Sequence, residues 1–233
     1  MKILALDCAS PACSVALIND GKTYHRYEWA PQNHTGLILP MLDDVLADSG
    51  LQAAELDAVA YGRGPGSFTG VRIAAGFAQG IALAHGLPML AISTLASIAH
   101  RAYREAGISR ALVAVDARMQ EVYWGAWQVT GTGQAQLSGA EQVCPPDQVL
   151  VPDEGGWTGC GDGWQTYRGE LDARAGGCLD AVHGEALYPH ALDMAHLAVT
   201  EFAATGGQSP QDAQPVYLRD KVALTEKERA AKA

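Results

Sequence analysis

The sequence runs to 233 residues, 48% of them apolar and 18% charged, with 26 acidic against 16 basic side chains and a formal net charge of −10. That apolar share supports a buried core and excludes a disordered chain. An acidic surface repels polyphosphate at a distance, which argues against unaided binding of nucleic acid. The five cysteines, at 8, 13, 144, 160 and 178, are odd in number and lack C-x-x-C spacing. They describe a reduced, cytoplasmic protein rather than a disulfide framework. No apolar run approaches the roughly 20 residues of a membrane helix, and no membrane association is expected.

Residues 2–7 and 12–18 read as strands joined by a tight turn at Ala9–Ser10–Pro11. The opening stretch, one lysine and a short apolar run before Asp7, is too short for a secretory signal core and reads as a buried strand. Asn19-Asp20-Gly21 signals a hairpin turn into a period-two strand at 22–29. Spacing then becomes helical over 35–49, where Leu37, Ile38, Met41, Leu42, Val45 and Leu46 form one stripe, interrupted early by Pro40. A strand at 55–61, a helix of small residues at 69–85, a strand at 88–92 and a helix at 94–106 follow. Three antiparallel strands followed by β-α-β-α units predict a mixed sheet with helices against it. A second block restarts near Arg110, with "ALVAV" ending at Asp116 and a strong strand in "EVYWGAWQV". Short strands are expected on to about residue 180 and a helix at 190–204. The division is therefore a first lobe at 1–107, a second at 108–218 and a charged tail at 219–233.

The stretch "GRGPGSFTGVRIAAG" at 62–76 invites three enzyme readings. A P-loop fails because Val71 and Arg72, not Lys and Ser or Thr, follow Gly70. The dinucleotide fingerprint fails at Ser67 or Thr69, where glycine is needed. A nucleophile elbow fails because Pro65 stands two residues before Ser67. What remains is a helix start capped by Ser67 or Thr69, whose free N–H groups could bind an anion, or else a β-α turn that merely packs closely. In the helix that follows, Arg72, Gly76, Gly80 and Ala84 share a face at i, i+4 spacing. Two glycines within a helix cost about 1 kcal/mol each relative to alanine. A closely approaching partner helix would offset that, and close packing on the chain's own sheet is the alternative.

Asp7 and Asp116 end the first strand of each lobe, where a carboxylate can hold a metal–phosphate or a water, or simply shape a turn. The seven histidines include no H-x-x-x-H or H-E-x-x-H pair, so no metal site is expected. Trp124, Trp127, Trp157 and Trp164 read as strand packing rather than base stacking.

Taken together, "ILALDCASPACSVALI", "QNHTGLILPMLDDVL", "GRGPGSFTGVRIAAGFAQGIA", "VAVDARMQEVYWG" and "PVYLR" closely resemble the TsaB (YeaZ) family over nearly the whole chain. The resemblance implies a two-lobed α/β fold of the actin/Hsp70 (ASKHA, RNase H-like) type, with mixed sheets flanked by helices. It implies a role in making threonylcarbamoyladenosine at position 37 of tRNAs that read ANN codons. There the larger paralogue TsaD transfers the threonylcarbamoyl group from an adenylate made by TsaC-type enzymes, and the ATPase TsaE completes the system. After the counterpart of "PMLAIS" the catalytic paralogue carries a metal-binding H-x-x-x-H, and this chain has Thr94 and Ile98 there. The implied role is a non-catalytic partner of TsaD and TsaE, a homodimer when alone, meeting tRNA only through the complex. It would have no cofactor or metal of its own, with ATP or ADP bound only at a shared interface. The resemblance places the dimer contact on the helices at 35–49 and 69–85, with Leu37, Met41, Leu42, Val45, Arg72, Ala74, Gly76, Ala78 and Gly80 as expected contact residues. Asp7, Ser10 and Asp116 would be vestigial phosphate-facing groups. The rival expectations are an active ASKHA-type ATPase or metallopeptidase-like enzyme, using Asp7 or Asp116, and a homodimeric binding protein with another partner.

Overall fold

The first three strands, β1 (Lys2–Asp7), β2 (Ala12–Asn19) and β3 (Lys22–Trp29), form the antiparallel meander that the turn residues predict. β1 also pairs in parallel with β4 (Ala58–Gly64), and β4 with β5 (Met89–Ser93), which gives the order β3-β2-β1-β4-β5. These relations come from a computed structural model that describes residues 1–219. Apart from Arg219, the charged tail therefore lies outside the described residues. The second sheet contains β6 (Arg110–Asp116), β7 (Val122–Val129), β8 (Ala135–Cys144), β9 (Trp157–Cys160) and β10 (Leu179–Val182), in the order β10-β9-β6-β7-β8. β6, β7 and β8 run antiparallel, while β9 and β10 join β6 in parallel. Each sheet thus has the same topology, and Asp7 and Asp116 end its equivalent central strand.

β1 shows why its sequence is apolar throughout. Leu4 and Leu6 point into one core with Ile38, Val45, Ala74 and Ala78 of α1 (His34–Ser49) and α2 (Phe68–His85). Ile3 and Ala5 point into another, with Leu95, Ile98 and Ala99 of α3 (Thr94–Ala106) and Met194 and Ala195 of α6 (Ala191–Thr205). A strand covered on both faces needs no polar alternation. α3 and α6 lie between the two sheets, and this central core also takes in Ala111 and Val113 of β6. The far face of the second sheet packs Leu112, Trp124 and Trp157 against Trp164 of α4 (Gly163–Thr166) and Leu171 of α5 (Arg168–Ala175). These two short helices occupy a region expected to hold only short strands.

The stretch expected to form the second lobe, 108–218, does not stay with the second sheet throughout. α6 packs on β1, β2, β4 and β5, so the chain returns to the first sheet. The return continues as Gln208 pairs with Met89, Gln79 Nε2 donates to the Pro210 and Ala213 carbonyls, and Val216 N–H donates to the Arg63 carbonyl. Helical periodicity shows that residues 191–205 have an apolar face but cannot say which sheet covers it.

Candidate functional site

The glycine-rich turn is built against the turn that follows β1. Ser67 N–H donates to the Ala9 carbonyl at 2.8 Å, and Ser67 Oγ caps α2 by accepting from Gly70 N–H at 3.2 Å. A Cβ on Gly66 would lie 2.4 Å from the Ala9 oxygen, and one on Gly70 only 1.8 Å from the Cys8 oxygen. No side chain fits between the two turns, so glycine is required for this close approach. The N–H groups of Ser67, Gly70 and Val71 are bound within the chain, and close packing accounts for the glycines at 66 and 70.

Between the lobes lies a cavity of about 790 Å³. Ser10, Ser67, Arg72, Asp116, Arg118 and Asp162 contribute polar groups to its wall. Asp116 accepts from Arg118 N–H at 2.8 Å and the Tyr167 hydroxyl at 3.2 Å, and pairs with the Arg118 guanidinium at 3.2 Å. Its own N–H donates to Asp162, whose carboxyl is raised above the ordinary range by burial. Arg118, Met119 and Gln120 all have φ near +60°, an uncommon and costly conformation for residues with a Cβ. Backbone bonds from Ala117 to Glu121 and from Glu121 to Arg118 close this left-handed turn, and Arg219 pairs with Glu121 beside it.

The three residues expected to face phosphate therefore separate. Ser10 and Asp116 reach the cavity, but Asp7 is fully buried behind its wall. One Asp7 oxygen accepts from Ala9 N–H at 3.3 Å, while Oδ1 lacks a partner among the described residues and lies against Gly62. Burial pushes the carboxyl up to about 7. Thr94 and Ile98, which stand where the paralogue has histidines, also line the cavity. The Thr94 hydroxyl is committed to the Pro65 carbonyl. Among the described residues no group of three or more His, Cys, Asp or Glu could hold a metal ion.

A buried polar cluster that sequence reading missed ties α3 to α6. His100 Nδ1 lies 2.7 Å from Asp193 Oδ1, and Arg104 grips both Asp193 oxygens at 2.9 Å. His196 stacks on His100, and neutral His190 caps α6 by accepting from Leu192 N–H at 2.9 Å while Tyr27 stacks on it. Burial lowers His190 to about 4 and also lowers His196. With 93 residues separating His100 from Asp193, no local spacing could have revealed the pair.

The expected contact residues also divide. Met41, Leu42, Val45, Ala74 and Ala78 are buried on the chain's own first sheet, and Leu37 is half-buried, so the apolar stripe is core rather than a free surface. Arg72, Gly76 and Gly80 are exposed. Among the described residues a Cβ at Gly76 or Gly80 would meet nothing within 4 Å, so close packing on the chain's own sheet does not explain these glycines. Around them are exposed Phe68 and Leu83 and half-buried Ile73 and Phe77. The Arg72 guanidinium lies 3.3 Å from the Phe68 ring centre and 4.6 Å from that of Tyr217, favourable cation–π placements at the cavity rim.

Residues 25–158 match the family profile described as "TsaD: tRNA N6-adenosine threonylcarbamoyltransferase". The Escherichia coli K12 protein named tRNA threonylcarbamoyladenosine biosynthesis protein TsaB is 45% identical over 226 residues, 96% of each chain. The Haemophilus influenzae protein of the same name is 38% identical over 95% of each chain. The solved structure of YeaZ from Pseudomonas aeruginosa superposes with a TM-score of 0.85 at 44% identity, covering 93% of this chain and 99% of that one. Near full-length identity and a shared two-sheet fold agree: the chain belongs to the TsaB family of tRNA threonylcarbamoyladenosine biosynthesis proteins.

Proposed function

We propose that this chain is a non-catalytic subunit in N6-threonylcarbamoylation of adenosine 37 in ANN-decoding tRNAs, acting as the partner of a TsaD-type transferase. The observation that carries this reading is the outer face of α2. Gly76 and Gly80 are mid-helix and exposed, and a methyl added at either would have nothing within 4 Å among the described residues. The fold itself gains nothing from them, at about 1 kcal/mol each in helix propensity. A partner helix approaching closely over Gly76, Gly80, Ile73 and Phe77 makes sense of that cost. The chain would pair with itself through this face when alone and with the transferase in the complex, where a TsaE-type ATPase joins. ATP or ADP would then bind only at a shared surface, and tRNA only through the assembly, in the cytoplasm. The membrane plays no part in this reading, and among the described residues no helix is long and apolar enough to cross one.

An ATPase or metallopeptidase reading would need Asp7 or Asp116 as a working carboxylate. Asp7 is sealed behind the cavity wall, and Asp116 is engaged by Arg118 and Tyr167. The test is reconstitution with labelled threonine, ATP, tRNA and TsaC-, TsaD- and TsaE-type proteins, with and without this chain. Modification that requires the chain, with no ATP turnover by the chain alone, supports the proposal. Modification at full rate without it overturns the proposal. ATP turnover by the pure chain that is lost in Asp116→Ala would favour the enzyme reading.

A further inference from the structure

We infer that Cys8 and Cys13 form a redox-sensitive dithiol, closing to an intramolecular disulfide when a hydroperoxide reaches the turn between β1 and β2. Their sulfurs lie 3.6 Å apart, and both side chains are buried. The β1–β2 register runs from Lys2↔Asn19 to Asp7↔Ser14, where the ladder ends, and Cys8 and Cys13 stand one step beyond that last pair. Asp20 N–H donates to the Met1 carbonyl just outside the Lys2/Asn19 pair. That pair is therefore of the non-hydrogen-bonded kind, and alternation along the ladder puts Cys8/Cys13 in the same class. Such pairs bring Cα atoms to about 4.5 Å, within the span a disulfide bridges. Closing the bond needs side-chain rotation and a small approach rather than a rearrangement of the sheet.

The location gives the chemistry a consequence. Ala9, Ser10 and Pro11 of the connecting turn form part of the cavity wall, so that turn is all that separates the two sulfurs from the cleft, and oxidation requires it to open transiently. The Cys8 carbonyl abuts Gly70 in the first turn of α2, so a covalent change at Cys8 is felt there. Contact with Cys13, together with burial, pushes the Cys8 thiol above its ordinary range, and a thiol so little ionised reacts slowly. The pair is a slow site of cumulative oxidation.

In the first step one sulfur attacks a peroxide oxygen as the O–O bond breaks. The thiol proton leaves with the departing oxygen as water, and a sulfenic acid remains. The second sulfur then displaces that hydroxyl, which departs as water with the second thiol proton. Two thiols and one hydrogen peroxide thus yield one disulfide and two waters, with sulfur oxidised and peroxide oxygen reduced.

The test treats the native chain with hydrogen peroxide, denatures and alkylates it, and digests it with trypsin. Cleavage after Lys2 and Lys22 places Cys8 and Cys13, and no other cysteine, on the peptide spanning residues 3–22. The expected product is that peptide two hydrogens lighter, unalkylated, and restored to two alkylatable thiols by dithiothreitol. Amide exchange in the first turn of α2 should differ between the oxidised and reduced chains. Cys8→Thr should abolish the mass change, and Cys8→Ala serves if the threonine variant does not fold. Two alkyl groups on the peptide after the half-buried Cys144 has been oxidised would overturn the inference, as would sulfinic acid in place of the disulfide.

Discussion

Replacing both Gly76 and Gly80 by alanine separates what α2 does for its own fold from what it offers a partner. Among the described residues neither added methyl meets another part of the protein within 4 Å, so no contact is lost and no clash is introduced there. The remaining effect is helix propensity, about 1 kcal/mol per site. The double variant should therefore be about 2 kcal/mol more stable than the parent, raising Tm by roughly 4–8 °C for a chain of this size. The same methyls should overfill a close helix contact and weaken pairing by about 1–3 kcal/mol, or roughly 5- to 150-fold in Kd. Urea melts at concentrations where the chain is monomeric read the first effect. Sedimentation of the chain alone and titration against the TsaD-type partner read the second. Gly70→Ala is the control, because its methyl would sit 1.8 Å from the Cys8 oxygen and should destabilise by about 3 kcal/mol. A double variant less stable than the parent would refute the claim that the fold has no use for these glycines. A stabilised variant that pairs with unchanged affinity would refute the interface.

Three further outcomes follow from buried charge. The Asp7 carboxyl is held at about 7, above its ordinary 3.8, so between these values the folded chain binds more protons than the unfolded one. Stability falls as pH rises through that window, by up to about 4 kcal/mol. Asp7→Asn should match the parent near pH 4 and exceed it at pH 8 in urea melts, and a variant weaker at both would sink this account. His190 has the opposite sign: burial holds it at about 4, below its ordinary 6.5, so stability is lost as pH falls through that window, by up to about 3 kcal/mol. His190→Asn keeps an acceptor for Leu192 N–H without titrating there, and should flatten acid sensitivity between pH 6.5 and 4; an unchanged slope would exclude His190 as its source. Arg63 of β4 and Glu141 of β8 join the two sheets at 2.8 Å, with Glu141 also receiving the Ser93 hydroxyl. Arg63→Ala should cost about 3 kcal/mol by leaving a buried carboxylate unpaired. Adding Glu141→Gln should recover part of the loss, whereas strictly additive effects would show that the pair is uncoupled.

Much of this architecture is legible in the chain because the signals are local. Continuous apolar runs mark the first two strands, the Asn-Asp-Gly turn and a period-two pattern mark the third, and the α2 helix expected at 69–85 is Phe68–His85. The glycine-rich stretch announces a turn that three enzyme motifs cannot use, and it is one. Which way a face points is a different matter. The stripe containing Met41, Val45, Ala74 and Ala78 is visible in sequence, yet only the assembled sheet assigns it inward and leaves Gly76 and Gly80 outside. The return of α6 to the first sheet, the sealing of Asp7 behind Gly62 and the joining of His100 to Asp193 all depend on contacts between distant parts of the chain. Periodicity and turn chemistry report what a segment can bury; what it is buried against is decided by the packing of the whole fold.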